Sequence, residues 1–469
     1  MYGRYGPAGR RSEAAGAAGV AMGGANPHPW PSARPSRRRA LLAAGAATVT
    51  SAACAGAGGG GGQAAPGQAP PATLEIWSPA MDASQAAAQE QVHQEFQHAH
   101  PHLTLNLLQI PGGWDPLVEK LQLSITGDVQ PQATRLPDNP IRQLIARDQL
   151  TALDSLIKQD RFDLKPLDQA MLERTTKDGK RYTLPWSGGM LALAYNRDLF
   201  EQAGVAVPET TRAMSWDHFL NAAVAIRRLG DDVWGFRVGG NLETPNWDTV
   251  KEWLPWLWSN GNDYFDKTET KPLFGEPNGV AAGQLLTDLM LKLKVAPGPG
   301  QPRPDGTSGK VGMWVQQSDV IVRMKNLAPT VRFGCSLIPI GPSGKTSYGV
   351  QGGSYIAIPQ GARHQTETWR YLRWITDEKI NLRLVSPVFQ DPVHPASRLK
   401  PPYSDNPPYA AFVEQFKTAR VRPGSPAYRP TEESTAEQLQ AAYRGEKSVP
   451  EAIKTAVEKA VAIIQQNLR

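Results

Sequence analysis

Cysteine is nearly absent. The 469 residues hold two, Cys54 and Cys335, so covalent cross-linking offers little and an apolar core must carry the stability. Long hydrophobic runs are missing too. The mildly apolar stretch 40–53 has 14 residues, short of the roughly 20 that a helix needs to span a bilayer, and no other apolar run approaches that length. A basic excess is missing where it would matter. The formal charge is +6, yet residues 1–54 hold seven arginines, no lysine and one acid, Glu13. The remainder balances 43 basic against 43 acidic side chains, which leaves no electrostatic footprint for nucleic acid. About 400 residues can build a sizeable core, and a chain this long should split into at least two domains.

What is present at the amino end is an export pattern. Arg37, Arg38 and Arg39 form a charged region, 40–53 a short apolar one, and Ser51-Ala52-Ala53-Cys54 a small-residue approach to cysteine. This order is that of a secretory signal. Arg37 and Arg38 suggest the twin-arginine route, although Ala40-Leu41 stands where that signal usually has Phe-Leu, so the general secretory route stays open. Met22 is an alternative start. The segment ending in Cys54 resembles the bacterial lipobox, which implies that Cys54 becomes the lipidated first residue of the mature protein. Cys335 would then have no partner within one chain. Residues 55–72, with Gly58–Gly62 unbroken, read as a flexible tether of roughly 20–25 Å root-mean-square reach. The protein is expected to be lipid-anchored on the outer side of the cytoplasmic membrane, not threaded through it.

The body begins with an alternating strand over 73–78, a polar helix to about 97 and a second strand over 103–108. Strand–helix–strand at this spacing predicts a βαβ unit and an α/β fold. Asp178-Gly179 marks a hairpin turn. Further helices are predicted over 117–125, 140–146, 216–229, 249–258, 278–294, 365–377, 410–418 and 435–466, and strands over 181–184, 190–195, 332–338 and 355–358. Residues 296–310, rich in proline and glycine, read as a loop.

Several segments, in order, resemble the extracellular solute-binding proteins of ABC importers, in particular the sugar-binding family that includes maltose-binding protein. They are Phe96–Leu105, Asp178–Pro185, Leu193–Gly204, Met214–Phe219, Leu254–Gly261, Gly309–Met313, Gly352–Pro359 and Ala441–Ala452, together spanning about 73–466. Each is weak alone; their shared order carries the resemblance. It implies two α/β lobes joined by a hinge, with solute bound in the cleft between them and the lobes closing over it. Lobe one is expected over 73–185 plus 330–386, and lobe two over 186–329 plus 387–469.

Thirteen tryptophans suit stacking on the apolar faces of sugar rings. Trp77, Trp114, Trp186, Trp253, Trp256, Trp258 and Trp314 fall at strand ends or family cleft positions, and each would serve equally well in a core. Trp77, Trp186, Trp256 and Trp314 are taken as ligand-binding, Trp186 foremost, because it stands with Ser187 where the chain first crosses between lobes. Ser78 ends the first strand, where open α/β sheets place ligands. Asp138 and Asn139 lie near the family's aspartate for sugar hydroxyls, although Pro137 occupies the aligned place. Gly353 and Ser354 would let ligand approach the backbone. Asp319 stands where the family usually has an aromatic residue, which suggests a ligand more polar, or even cationic. Arg398 matches a family segment but is expected to form a salt bridge.

His93, His98, His100 and His102 have the look of metal ligands, but the family's zinc clusters differ, and no metal or cofactor is expected. Gly344-Lys345-Thr346 fails as a P-loop because Pro339 replaces the first glycine. The resemblance implies a monomeric, non-enzymatic receptor that binds a small carbohydrate and delivers it to ABC permease subunits driven by an ATPase. Alternatives within the fold are a glycerophosphodiester, polyamine or peptide ligand. A more distant one is an envelope-anchored hydrolase, whose carboxylate separation is a three-dimensional quantity that sequence does not reveal.

Overall fold

The computed structural model describes residues 70–240, 242 and 248–467. Cys54, Arg37 and Arg38 lie outside the described residues, as do Trp30 and Trp247. Within them no helix is long and apolar enough to cross a membrane.

Strand β1 (Ala72–Pro79) buries Leu74 and Ile76 by its alternation. The helix Ala83–Ala99 follows, started by the Asp82 carboxylate, which accepts the Ser84 and Gln85 amides at 2.9 and 3.0 Å. Its Val92 and Phe96 pack into the core that also holds Leu74 and Ile76. Strand β2 (Leu103–Ile110) returns parallel to β1, with Trp77 opposite Leu108. The helix Trp114–Thr126 and strand β3 (Ala133–Pro137) complete the parallel unit. The small hairpin β4 (Thr176–Lys177) and β5 (Lys180–Arg181) turns through Asp178 and Gly179, both at positive φ.

Strand β6 (Thr183–Met190) leads through Leu191 alone into β7 (Ala192–Asn196), and there the chain passes from one sheet to another. The second sheet adds β8 (Trp234–Arg237), β9 (Val311–Gln316) and β10 (Phe333–Ser336) in the order β10-β7-β9-β8. Strand β11 (Gly349–Ala357) then returns to the first sheet, antiparallel to both β3 and β6, and β12 (Ala419–Val421) pairs parallel with its first residues. The first sheet therefore has six strands, drawn from three separated stretches of chain.

These pairings bear on where each segment belongs. Strand β10, within the stretch expected in lobe one, pairs with β7 of the second sheet. Strand β12, within the stretch expected in lobe two, edges the first sheet. The region 435–466 resolves into two helices, Tyr428–Tyr443 and Val449–Asn467, with Gly445 at φ 74° just after the first. Both pack with the helix Asp248–Ser259 in one large core beside the second sheet. Strand β11 runs six residues further toward the amino end than the expected 355–358, because Gly352 and Gly353 hid its strand character.

A polar cleft where two strands cross

The cleft is built on β6 and β11, the strands that run side by side between the sheets. Gly352 faces Gly189 and Gly353 faces Gly188. At Gly353 glycine is required by close approach. A Cβ at Gly353, whose φ is 153°, would strike the Ser187 carbonyl oxygen, and one at Gly189 would strike the Gln317 side chain. A register shift between Ser354 and Tyr355 bends β11 at the same place. On its far side β6 is fixed by Asp391, whose backbone exchanges hydrogen bonds with Gly188 and whose carboxylate accepts the Met190 amide at 2.9 Å.

The resulting cavity has a volume of about 210 Å³, and nine of its sixteen lining residues carry polar or charged side chains. The first sheet supplies Ser187, Gly188, Gly189, Gly352, Gly353 and Ser354, with Pro137 and Asp138 from the end of β3. The opposite wall holds Gln317, Ser318 and Asp319, just past β9, and Lys251 from the helix Asp248–Ser259. Trp114, Val388, Gln390 and Arg422 complete it. Side chains that pack with different sheets thus face one space.

Charge at the cleft is paired. Asp138 is buried and lies against two buried arginines. It pairs with Arg422 through both carboxylate oxygens, and Arg174 Nε stands 3.5 Å from Oδ2. Burial alone would raise the Asp138 pKa, but Arg422 and then Arg174 outweigh it and hold the carboxyl below its ordinary value. Arg422 also donates to Glu432 at 3.1 Å, and Glu432 accepts the Tyr428 hydroxyl at 2.7 Å. Asp319 accepts from Gln316 Nε2 at 3.1 Å, and burial pushes its carboxyl upward. Lys251 pairs with Asp248 at 2.8 Å.

Of the residues expected to bind ligand, Asp138, Ser187, Asp319, Gly353 and Ser354 line this cavity. Ser78 is fully buried at the end of β1, where its hydroxyl accepts from Arg135 Nη1 at 3.2 Å. Asn139 follows Asp138 in the first turn of its helix and is 5 % exposed, with neither side-chain polar atom hydrogen-bonded. The four tryptophans take other places. Trp77 is buried beside Leu117, with the Lys120 ammonium 4.7 Å from its ring. Trp186 is buried beneath the cleft with Arg135 4.6 Å from its ring. Trp256 packs against Phe219 and Phe236, and Trp314 against Gly306 in a separate core. Their large apolar surfaces are worth more in dry cores than at a wet rim. Trp114 is the tryptophan that lines the cavity. Arg398 pairs with Asp168, both buried. His93 is an interior residue bonded to the Tyr371 hydroxyl at 2.8 Å.

Residue-by-residue reading did not single out Lys251, Gln317, Ser318, Gln390 and Arg422. Gln317 and Ser318 were within reach, since they stand between the family-like segment Gly309–Met313 and Asp319. Arg422 carries no local signal.

A family model described as bacterial extracellular solute-binding protein matches residues 78–381. A candidate binding protein of Brucella abortus (strain 2308) is 27% identical over 384 residues, covering 80% of this chain and 90% of its own. Among solved structures, an ABC transporter solute-binding protein of Thermotoga lettingae bound to α-D-tagatose is similar at TM-score 0.73 and 21% identity, over 84% of this chain and 99% of that one. UgpB of Mycobacterium tuberculosis in complex with glycerophosphocholine is similar at TM-score 0.74 and 19% identity, over 85% and 100%.

Proposed function

We propose that this chain, which belongs to the bacterial extracellular solute-binding proteins, is the substrate-binding subunit of an ABC importer and captures a small carbohydrate in the cleft over β6 and β11. One observation carries the reading. The cavity joins hydroxyls, amides and charged groups from both sides of the strand crossing, with Trp114 among its lining residues. A sugar presents the matching surface, a polar rim around apolar C–H faces. Ligand touching both walls favours the state in which they are close, and only such two-sided contact shifts that equilibrium.

The lobes divide at the strand crossing, with β10 assigned to the second lobe and β12 to the first. The role is transport without chemistry. The Asp138 carboxyl is held ionised between Arg422 and Arg174, which makes it a poor proton donor for hydrolysis. The receptor acts as a monomer. Cys54 carries a lipid anchor, and residues 55–72 tether the receptor near its permease on the outer face of the membrane.

Thermal-shift screening against neutral and acidic mono- and oligosaccharides tests the binding role. A true ligand raises the melting temperature with concentration, as mass action requires, and is recovered unchanged. Accumulation of product, or no shift from any sugar, would refute the carbohydrate-receptor reading.

A further inference from the structure

Four arginines among the described residues are buried to 6 % exposure or less: Arg135, Arg174, Arg398 and Arg422. Three of them face carboxylates. Arg174 and Arg422 meet Asp138, and Arg398 meets Asp168. Arg135 does not. It is 2 % exposed, and its two bonds are to neutral hydroxyls, Ser78 Oγ at 3.2 Å and Ser354 Oγ at 3.1 Å. Its Nε has no partner. Its guanidinium lies 4.6 Å from the Trp186 ring and 5.5 Å from the Trp114 ring. Burial pushes its pKa down to about 9, with the Tyr371 phenol opposing the shift, so it remains charged at neutral pH. A buried cation without a counter-ion is expensive to keep.

The surroundings give that charge a direction. Ser354 and Ser187 both line the cleft, and their hydroxyl oxygens are 2.9 Å apart. Ser354 Oγ accepts from Arg135, so its O–H can donate to Ser187 Oγ, which leaves the Ser187 hydroxyl free to donate into the cavity. Three helices also begin at the cavity wall: Trp114–Thr126, Asp138–Ala146 and Val320–Leu327. Their N-cap residues, Gly113, Pro137 and Asp319, make no side-chain capping bond. Helix N-termini favour anions. Of the two lining carboxylates, Asp138 is met by Arg422 and Arg174, and burial shifts Asp319 toward its neutral form.

We propose that the captured carbohydrate is acidic, and that its carboxylate or phosphate group accepts from the Ser187 hydroxyl, which Ser354 and Arg135 support from beneath. The inference rests on the carbohydrate-receptor reading and narrows it. Arg135 acts through the two serines as a positioning residue. An acidic ligand is the opposite of the cationic one that Asp319 alone suggests.

Matched sugars test it by titration calorimetry on the intact protein: glucose against glucuronate and glucose 6-phosphate, and galactose against galacturonate. At least one acidic member is expected to bind at least about tenfold tighter than its neutral partner, the scale of one charge-assisted hydrogen bond. That preference should shrink at high salt, and Arg135→Gln should bring the ratio close to one. The uronate and phosphate arms distinguish a carboxylate from a phosphate. If Arg135→Gln does not fold, the ratio and its salt dependence in the unmodified protein decide the matter. Neutral sugars binding as tightly as their acidic partners would overturn the inference and leave the receptor reading standing. No binding by any sugar, in these pairs and in the wider screen, would overturn both.

Discussion

His93 is a neutral base held inside the protein. Burial pushes its pKa from 6.5 to about 4, while Glu90 opposes the shift weakly. The unfolded chain takes up a proton near pH 6.5 and the folded one does not until about pH 4. Stability from this residue is therefore intact above about pH 6.5 and falls as the pH drops toward 4, by about 3 kcal/mol in all. Urea unfolding across that range should show the loss, and His93→Gln should flatten that part of the profile. An unchanged slope in the variant would show that other groups set it. Legibility in the sequence also divides at the residue scale. Ser187, Asp319, Gly353 and Ser354 could be placed because they sit inside or a few residues from ordered family segments, and Asp138 because it lies near the family's aspartate position. Trp186 could not, since neighbours in a strand point to opposite faces and sequence does not say which of Trp186 and Ser187 turns to the cleft. Arg135 gave no sign, because its lack of a carboxylate partner is visible only in three dimensions.

Strands β6 and β11 form the element on which the site depends, and glycine allows them to lie so close. Gly353→Ala places a methyl group against the Ser187 carbonyl oxygen and within 2.8 Å of Met171 Cε. Relief would require one strand to move, at a cost of about 2–3 kcal/mol. The variant should melt at lower temperature and bind ligand more weakly, since Ser187 and Ser354 move with the strand. A variant matching the parent in both measurements would show that the backbone adapts freely. Helices and amphipathic strands were legible by their periodicity, and most appear within a few residues of the predicted span. Strand β12 is three residues long and β8 four, too short to express alternation. The amino-terminal half of β11 is masked by glycines whose purpose is close approach.

At the scale of the whole molecule, the neutral body and the arginine-rich amino-terminal segment separate cleanly in sequence, and the proposed anchor, Cys54, stands at their boundary. Mass spectrometry of the membrane-associated protein should find diacylglycerol on an amino-terminal Cys54; a soluble product beginning elsewhere would reject the anchor. The two-sheet architecture was legible through the order of family segments, whereas the exchange of β10 and β12 was not, because pairing partners far apart in sequence leave no local trace. That exchange has a consequence for anyone wishing to recombine such receptors. The six-stranded sheet draws on residues 72–190, 349–357 and 419–421, while most of 191–348 and the last two helices build the core beside the other sheet. No single cut yields a transplantable half. A chimera that grafts a new specificity wall onto this frame must splice the gene at several junctions at once, or else inherit its binding surface as a unit.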